Sequence, residues 1–297
     1  MPDKILIAGG TGLVGQALEG RFQSEGHEVT VLTRGQTSGN RVHWDGETTD
    51  GWLDRVEGCD VVVNLSGDNL AAGRWTAAKK QRIVDSRIGS SKAVVTAVKQ
   101  VENKPKLLLQ ASAIGFYGDR GDEDLDENSA MGRGFLADTC KKWEDALGKL
   151  ETPDTRLVIM RLGVVLDRKG GIVKKLVGPF KGFVGGHLGS GSQWLSWIHI
   201  KDVVGAVEYF IRNENLAGIY NITSPYQATS RELSKCLGRV LRRPSWLHMP
   251  AFAARAVFGD LADQMLLAGQ KVNPRRLLDA GYPFQFSDLN RALEDIL

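Results

Sequence analysis

The stretch Lys4–Gly15, KILIAGGTGLVG, decides how the rest of the chain is read. Four apolar residues, Ile5, Leu6, Ile7 and Ala8, deliver the backbone into a turn holding Gly9, Gly10, Gly12 and Gly15, and a helical pattern follows. A strand, a glycine turn and a helix in that order let bare main chain approach a pyrophosphate. The helix then turns its free N–H groups and positive dipole end toward the negative charge. Gly10, Gly12 and Gly15 fit G-x-G-x-x-G, while Gly9, Gly12 and Gly15 fit G-x-x-G-x-x-G. In either register Leu13 and Val14 join the candidate dinucleotide contacts.

Working outward, Leu13, Val14, Ala17, Leu18 and Phe22 recur at helical spacing until Gly26, a C-terminal glycine. HEVTVLTR, His27 to Arg34, is then a second strand. Arg34 lies nineteen positions beyond Gly15, about where an NAD-binding protein carries an acidic residue for the ribose hydroxyls. Thr33 and Arg34 instead offer a hydroxyl and a fork of donors, which suits a 2′-phosphate and predicts NADP over NAD.

A short third strand is expected at Arg41–Trp44 and a fourth within Gly58–Gly67, whose apolar centre suits a parallel strand buried on both faces. Its downstream end puts Leu65, Ser66, Gly67 and Asp68 beside the cofactor crevice. Trp75–Val101 reads as a helix from which Arg87 is a candidate cofactor contact. KLLLQASA, Lys106 to Ala113, is a fifth strand ending near Ser112, where polar chemistry would meet the nicotinamide. Thr155–Leu166 is a sixth, with Val164 near the nicotinamide face.

The 297 residues hold 38 Lys and Arg against 35 Asp and Glu, a net charge of +3 without the aromatic-interleaved basic stripe of a nucleic-acid surface. Arg242 and Arg243 read as a solvated pair. Cys59, Cys140 and Cys236 show no C-x-x-C spacing, so no disulfide framework or zinc ribbon is expected. His27, His43, His187, His199 and His248 form no H-E-x-x-H pair, and DEDLDEN, Asp122 to Asn128, lacks the glycine and glutamate of a calcium loop. It reads as a solvated loop, and no metal is expected. With no leader pattern at the amino terminus and no bilayer-length apolar run, the expectation is a soluble, cytoplasmic monomer or homodimer that binds a small molecule, with neither nucleic acid nor membrane as partner.

The glycine loop, NLSG after the fourth strand, Ser112 with Tyr117-Gly118 after the fifth, and WIHIKDVV (Trp197 to Val204) together resemble the extended short-chain dehydrogenase/reductase superfamily, and more narrowly its atypical epimerase-family branch. The resemblance spans nearly the whole chain, and the tail from Met249 is similar to that branch's C-terminal extension. It implies an α/β fold: a doubly wound parallel (Rossmann) sheet of order 3-2-1-4-5-6 in residues 1–166, and a smaller substrate lobe mainly in 167–297, with segments crossing between them.

Redox members of the superfamily use Tyr-x-x-x-Lys on the helix after the fifth strand. Here that helix reads FLADTCKKWEDAL, and the places four residues before Lys141 and Lys142 hold Ala137 and Asp138. Ser112 and Tyr117 remain the candidate catalytic pair, with Lys141 or Lys142 supplying positive charge; Cys140 reads as core filling. Gln193, Trp194 and Trp197, in a glycine-rich aromatic stretch, are candidates for the pocket wall. Two readings stay open: an NADP-dependent oxidoreductase or epimerase-like enzyme acting on a small polar carbonyl or alcohol, and a sensor or partner-binding protein that binds NADP without turnover.

Overall fold

The computed structural model describes residues 3–148, 150 and 152–297. In chain order its main elements are β1 (Lys4–Ala8), α1 (Leu13–Ser24), β2 (Glu28–Thr33), β3 (Arg41–His43), β4 (Val61–Asn64), α2 (Ala77–Gln100), β5 (Leu107–Ala113), α3 (Phe135–Asp145) and β6 (Arg156–Leu162). They continue with α4 (Gly171–Lys181), α5 (Ile200–Arg212), β7 (Gly218–Ile222), α6 (Ser230–Leu241), α7 (Ala251–Phe258), α8 (Arg275–Asp279) and α9 (Leu289–Ile296).

The seven strands form one parallel sheet of order β3-β2-β1-β4-β5-β6-β7, the expected doubly wound arrangement with one further strand. Alternation along β1 explains the layers. Ile5 and Ile7 face a core shared with Leu18 and Phe22 of α1 and with Val203, Val207 and Phe210 of α5. Leu6 and Ala8 face the opposite core, built on Val94, Ala97 and Val98 of α2 together with Trp44 and Trp52. Because both faces are covered, the central strands are apolar on both faces along most of their length, with polar residues gathered toward their carboxyl ends. Gly26, at φ +85°, ends α1 by turning the chain directly into β2.

Beyond β6 the chain leaves the sheet and comes back. α4 and α6 build a second core around Phe180, Trp197, Leu233 and Leu237, closed by Leu293 and Ile296 of α9. Between them α5 packs on α1, and β7 docks beside β6 with Gly218 opposite Val158 and Ile222 opposite Leu162. Beyond residue 166, α5 and β7 are thus segments that cross back, one packing on the dinucleotide-type sheet and the other joining it. Thr229 and Glu232 form a reciprocal cap at the start of α6.

The tail is equally interwoven. Lys271–Val272 pairs in parallel with Asp124–Leu125, inside the segment expected to be a solvated loop. Leu125 is fully buried there, and Glu127 accepts hydrogen bonds from the backbone N–H of Asn221 and Arg276. Among the described residues no helix is long and apolar enough to cross a membrane, and no cluster of His, Cys, Asp or Glu could hold a metal ion.

Candidate functional site

Three of the four glycines of the first loop leave no room for a Cβ, each for a different reason, and the fourth closes the turn. Gly9 has φ +78°, and a Cβ there would lie 2.8 Å from Leu65 C and Ser66 N. A Cβ on Gly10 would meet Val31 Cγ1 at 2.6 Å, and one on Gly15 would meet Gly10 Cα at 2.4 Å. Gly12 N donates to Gly9 O at 3.1 Å, closing the turn, and caps α1 without any side-chain hydrogen bond. The first amides of α1, at Leu13, Val14 and Gly15, therefore point out of the helix end as donors for an anion. The loop sits at the carboxyl ends of β1 and β4, where the strand order reverses.

Two neighbouring segments frame this cradle. At the end of β2, Thr33 Oγ1 accepts a hydrogen bond from Gly35 N at 3.1 Å, and Arg34 is exposed. At the end of β4, fully buried Asn64 donates to Gln110 Oε1 at 2.9 Å and accepts from Ser66 N at 3.1 Å, fixing the path of Leu65 and Ser66. Asp68 turns its carboxylate to Lys79 Nζ, 2.7 Å away. Burial opposes its ionisation, yet the Lys79 ammonium outweighs that and holds its pKa below the ordinary value. Asp68 thus contributes its backbone to the crevice while its charge is already paired.

Arg87 is buried, and its Nη1 donates to Ile83 O at 2.9 Å and to Asp68 O at 3.3 Å. A Cβ on Gly67 would lie only 3.1 Å from its Cζ, so the guanidinium lies directly beneath the Leu65–Asp68 turn. Burial lowers its pKa, and no carboxylate forms a salt bridge with it among the described residues.

The carboxyl ends of β5 and β6 carry a buried polar chain that the sequence reading did not foresee. Ser112 Oγ donates to Glu144 Oε1 at 2.6 Å. Glu144 in turn is gripped by Arg161 through two bonds of 2.8 Å each, Nε to Oε1 and Nη2 to Oε2. Arg161 Nη1 also donates to the Tyr117 hydroxyl at 3.0 Å, which donates onward to Asn221 Oδ1 at 2.8 Å. The Arg161 guanidinium lies 3.5 Å over the Phe116 ring. Burial pulls the Arg161 pKa down, but Glu144 more than reverses this, leaving it raised.

This arrangement relocates several expected roles. Tyr117 is fully buried with its hydroxyl committed on both sides, and burial pushes its pKa up despite Arg161, so it lies in the packed interior. Lys141 pairs outward with Asp145, and Lys142 is exposed. Positive charge near Ser112 comes from Arg161 instead, because the inward face of α3 carries Leu136, Cys140 and Glu144 at steps of four. Leu136 and Cys140 pack at Gly115, where an added Cβ would lie 3.3 Å and 3.6 Å from them. Burial pushes the Cys140 thiol up to about 12. The helix face that would present a tyrosine and lysine presents an isobutyl group, a protonated thiol and a paired carboxylate.

A cavity of about 70 Å³ lies between the two parts of the molecule. Ile114 and Val164 close it on the sheet side; Leu176, Phe180, Leu233 and Leu237 from α4 and α6 face them. Gln193 and Trp194 line it as expected, whereas Trp197 is buried in the second core. Met265, Leu266, Ala268 and Gln270 of the tail form the remaining wall.

Comparison with known proteins agrees with this geometry. The NAD dependent epimerase/dehydratase family matches residues 5–134, and a domain of unknown function, DUF1731, matches residues 249–296. An epimerase family protein of Mycobacterium bovis is 37% identical over 97% of this chain and 96% of its own. The crystal structure of the human epimerase family protein SDR39U1 with NADPH superposes with a TM-score of 0.92 at 33% identity, covering 99% of this chain and 98% of that one. A nucleoside-diphosphate sugar epimerase of Corynebacterium glutamicum, 30% identical, superposes with a TM-score of 0.81 over 100% of this chain and 58% of its own. With its glycine cradle at the strand-order reversal and its matched C-terminal extension, the chain belongs to the epimerase family proteins, an atypical branch of the short-chain dehydrogenases/reductases.

Proposed function

We propose that this protein binds NADP in the crevice above β1 and β4 and acts as an oxidoreductase or epimerase-like enzyme on a small carbonyl or alcohol compound. The observation that carries the reading is the bare glycine cradle with uncapped α1 amides, flanked at the end of β2 by exposed Arg34 and by no carboxylate. The amides would hold the diphosphate, and Arg34 would reach the 2′-phosphate. The NADPH in the human SDR39U1 crystal supports the same choice of cofactor. Leu65, Ser66 and Gly67 would border the adenosine half, with Arg87 stiffening their turn from below. Val164 would lie near the nicotinamide.

The bound dinucleotide supplies or accepts hydride at its nicotinamide ring. In alcohol oxidation, Ser112 Oγ would take the substrate hydroxyl proton as its own passes to Glu144 Oε1, 2.6 Å away. Arg161 keeps the Glu144 carboxylate aimed at Ser112. The missing phenol on α3 and the interior position of Tyr117 favour the second reading, a protein that binds NADP without turnover.

Titrating the protein with NADPH and NADH tests the cofactor. NADPH is expected to bind more tightly, and Arg34→Ala to weaken NADPH about 10–100-fold, as losing a charge-assisted hydrogen bond of ~1.5–3 kcal/mol implies, while leaving NADH unchanged. Equal affinities that ignore the substitution refute the assignment. Ser112→Ala separates the two readings: turnover lost with NADPH affinity intact supports the enzyme.

A further inference from the structure

The lining of the cavity says what kind of compound can enter it. None of its wall residues is Asp, Glu, Lys, Arg or His; most are aliphatic or aromatic, and the polar remainder is Gln193, Ser196, Ser230, Ser234 and Gln270. Several of these are already engaged. Gln193 Nε2 donates to Leu188 O at 3.1 Å and Leu266 O at 2.9 Å. Ser196 Oγ donates to Gln270 O at 2.7 Å and accepts from Val272 N at 2.8 Å. Ser234 Oγ lies 3.2 Å from Ser245 Oγ. A nucleoside diphosphate sugar brings two phosphate charges, which a site recognises with cations or with helix-end amides. This cavity holds no cation, and an unpaired phosphate in such a wall would lose its hydration without return.

The same contacts give the C-terminal extension a task. Its π-helical turn, Ala262–Leu266, and the strand after it are locked to the rest of the pocket through Gln193 and Ser196, and Gly269 N donates to Asp119 Oδ1 at 3.2 Å. π-helical turns are rare and recur at functional sites. Here the turn sets Met265 and Leu266 directly in the cavity wall. At about 70 Å³, the space is also well below the ~300–1,000 Å³ of ordinary ligand sites, so the occupant is small.

We infer that the cavity selects a small, uncharged carbonyl or alcohol with an apolar body, not a nucleotide sugar, and that Met265 and Leu266 of the extension form its size-selecting wall. This deepens the proposed function, on which it rests for the chemistry but not for the binding.

Ligand-observed NMR on the full chain, with and without saturating NADPH, tests it using cyclohexanone, the bulkier acetophenone and UDP-glucose as probes. Cyclohexanone is expected to bind saturably and UDP-glucose not at all. Leu237→Glu, which puts a charge into the wall, is expected to abolish ketone binding while NADPH still binds, showing that the fold survives. Met265→Ala, at a residue 40% exposed, is expected to improve acetophenone over cyclohexanone severalfold. Saturable UDP-glucose binding, absence of ketone binding, ketone binding that survives Leu237→Glu, or an unchanged preference in Met265→Ala each overturns the inference. A protein that binds ketone but not NADPH would refute the cofactor assignment and leave this one standing.

Discussion

Replacing Gly15 by alanine isolates the contact on which the cradle depends, and Gly20→Ala in the same helix supplies its control. A Cβ at Gly15 would stand 2.4 Å from Gly10 Cα, 2.7 Å from Gly10 C and 2.7 Å from Gly9 O, all main-chain atoms that cannot rotate aside. Restoring ordinary contact requires the loop and α1 to separate by about 1 Å, an overpacking that costs ~1–3 kcal/mol. Gly20 has nothing within 4 Å of its virtual Cβ. There alanine gains only the helix-propensity difference, ~0.5–1 kcal/mol. Both substitutions share that gain, so the stability gap between the two variants reads out the clash, about 1–3 kcal/mol. The same displacement pulls the α1 amides from the diphosphate; losing one charge-assisted bond, ~1.5–3 kcal/mol, weakens NADPH binding about 10–100-fold. Urea midpoints and an NADPH fluorescence titration on both variants measure the two effects. If Gly15→Ala matches Gly20→Ala in stability and binds NADPH as the wild type does, the cradle is not built as described.

Other expectations follow from the interior. Glu144→Gln leaves Arg161 buried without its counter-charge, their side chains being 10% and 3% exposed. Chemical denaturation should register a loss of ~3–5 kcal/mol, and a smaller loss when Glu144 and Arg161 are replaced together by apolar residues. Burial depresses the His199 pKa to about 4 from its ordinary 6.5, with Asp295 opposing. The unfolded chain thus takes up a proton in that window that the folded one refuses. The contribution is complete above pH 6.5 and disappears as pH falls to 4, on the order of 3 kcal/mol. His199→Gln should therefore lose less stability than the wild type across that range in pH-dependent melts. Cys59 and Cys140 are buried thiols pushed up to about 12, and Cys236 is partly exposed. At pH 8 an alkylating reagent followed by mass spectrometry should mark Cys236 first, with the other two reacting only on unfolding.

The fold could be read because its signals are local. The apolar run of β1, four glycines within seven positions and the run VVVNL at β4 each report what their own few residues need, and strand order followed from resemblance to a known architecture. The buried chain from Ser112 to Asn221 was harder, since its members come from β5, the turn after it, α3, β6 and β7, and no spacing rule joins them. A clue was present all the same. Arg161 stands alone among Leu157, Val158, Ile159, Met160 and Leu162, and a charge in a buried strand demands a counter-charge nearby. Glu144, on the inward face of the preceding helix, meets that demand. The loop at Asp122–Asn128 misled for the opposite reason: its acidic composition suits solvent, but Leu125 and Glu127 are held by partners much later in the chain.

That late partnership orders events during synthesis. The strands that frame the crevice, β1 to β6, emerge from the ribosome well before Lys271–Val272 can meet Asp124–Leu125. A nascent chain can therefore lay down the strands of its nucleotide-holding half while the apolar hollow beside it still lacks a side and the core under the sheet still lacks Leu277 and Tyr282, leaving sticky surface bare until that segment is made. Stalling before Lys271 would leave that surface for chaperones to shield.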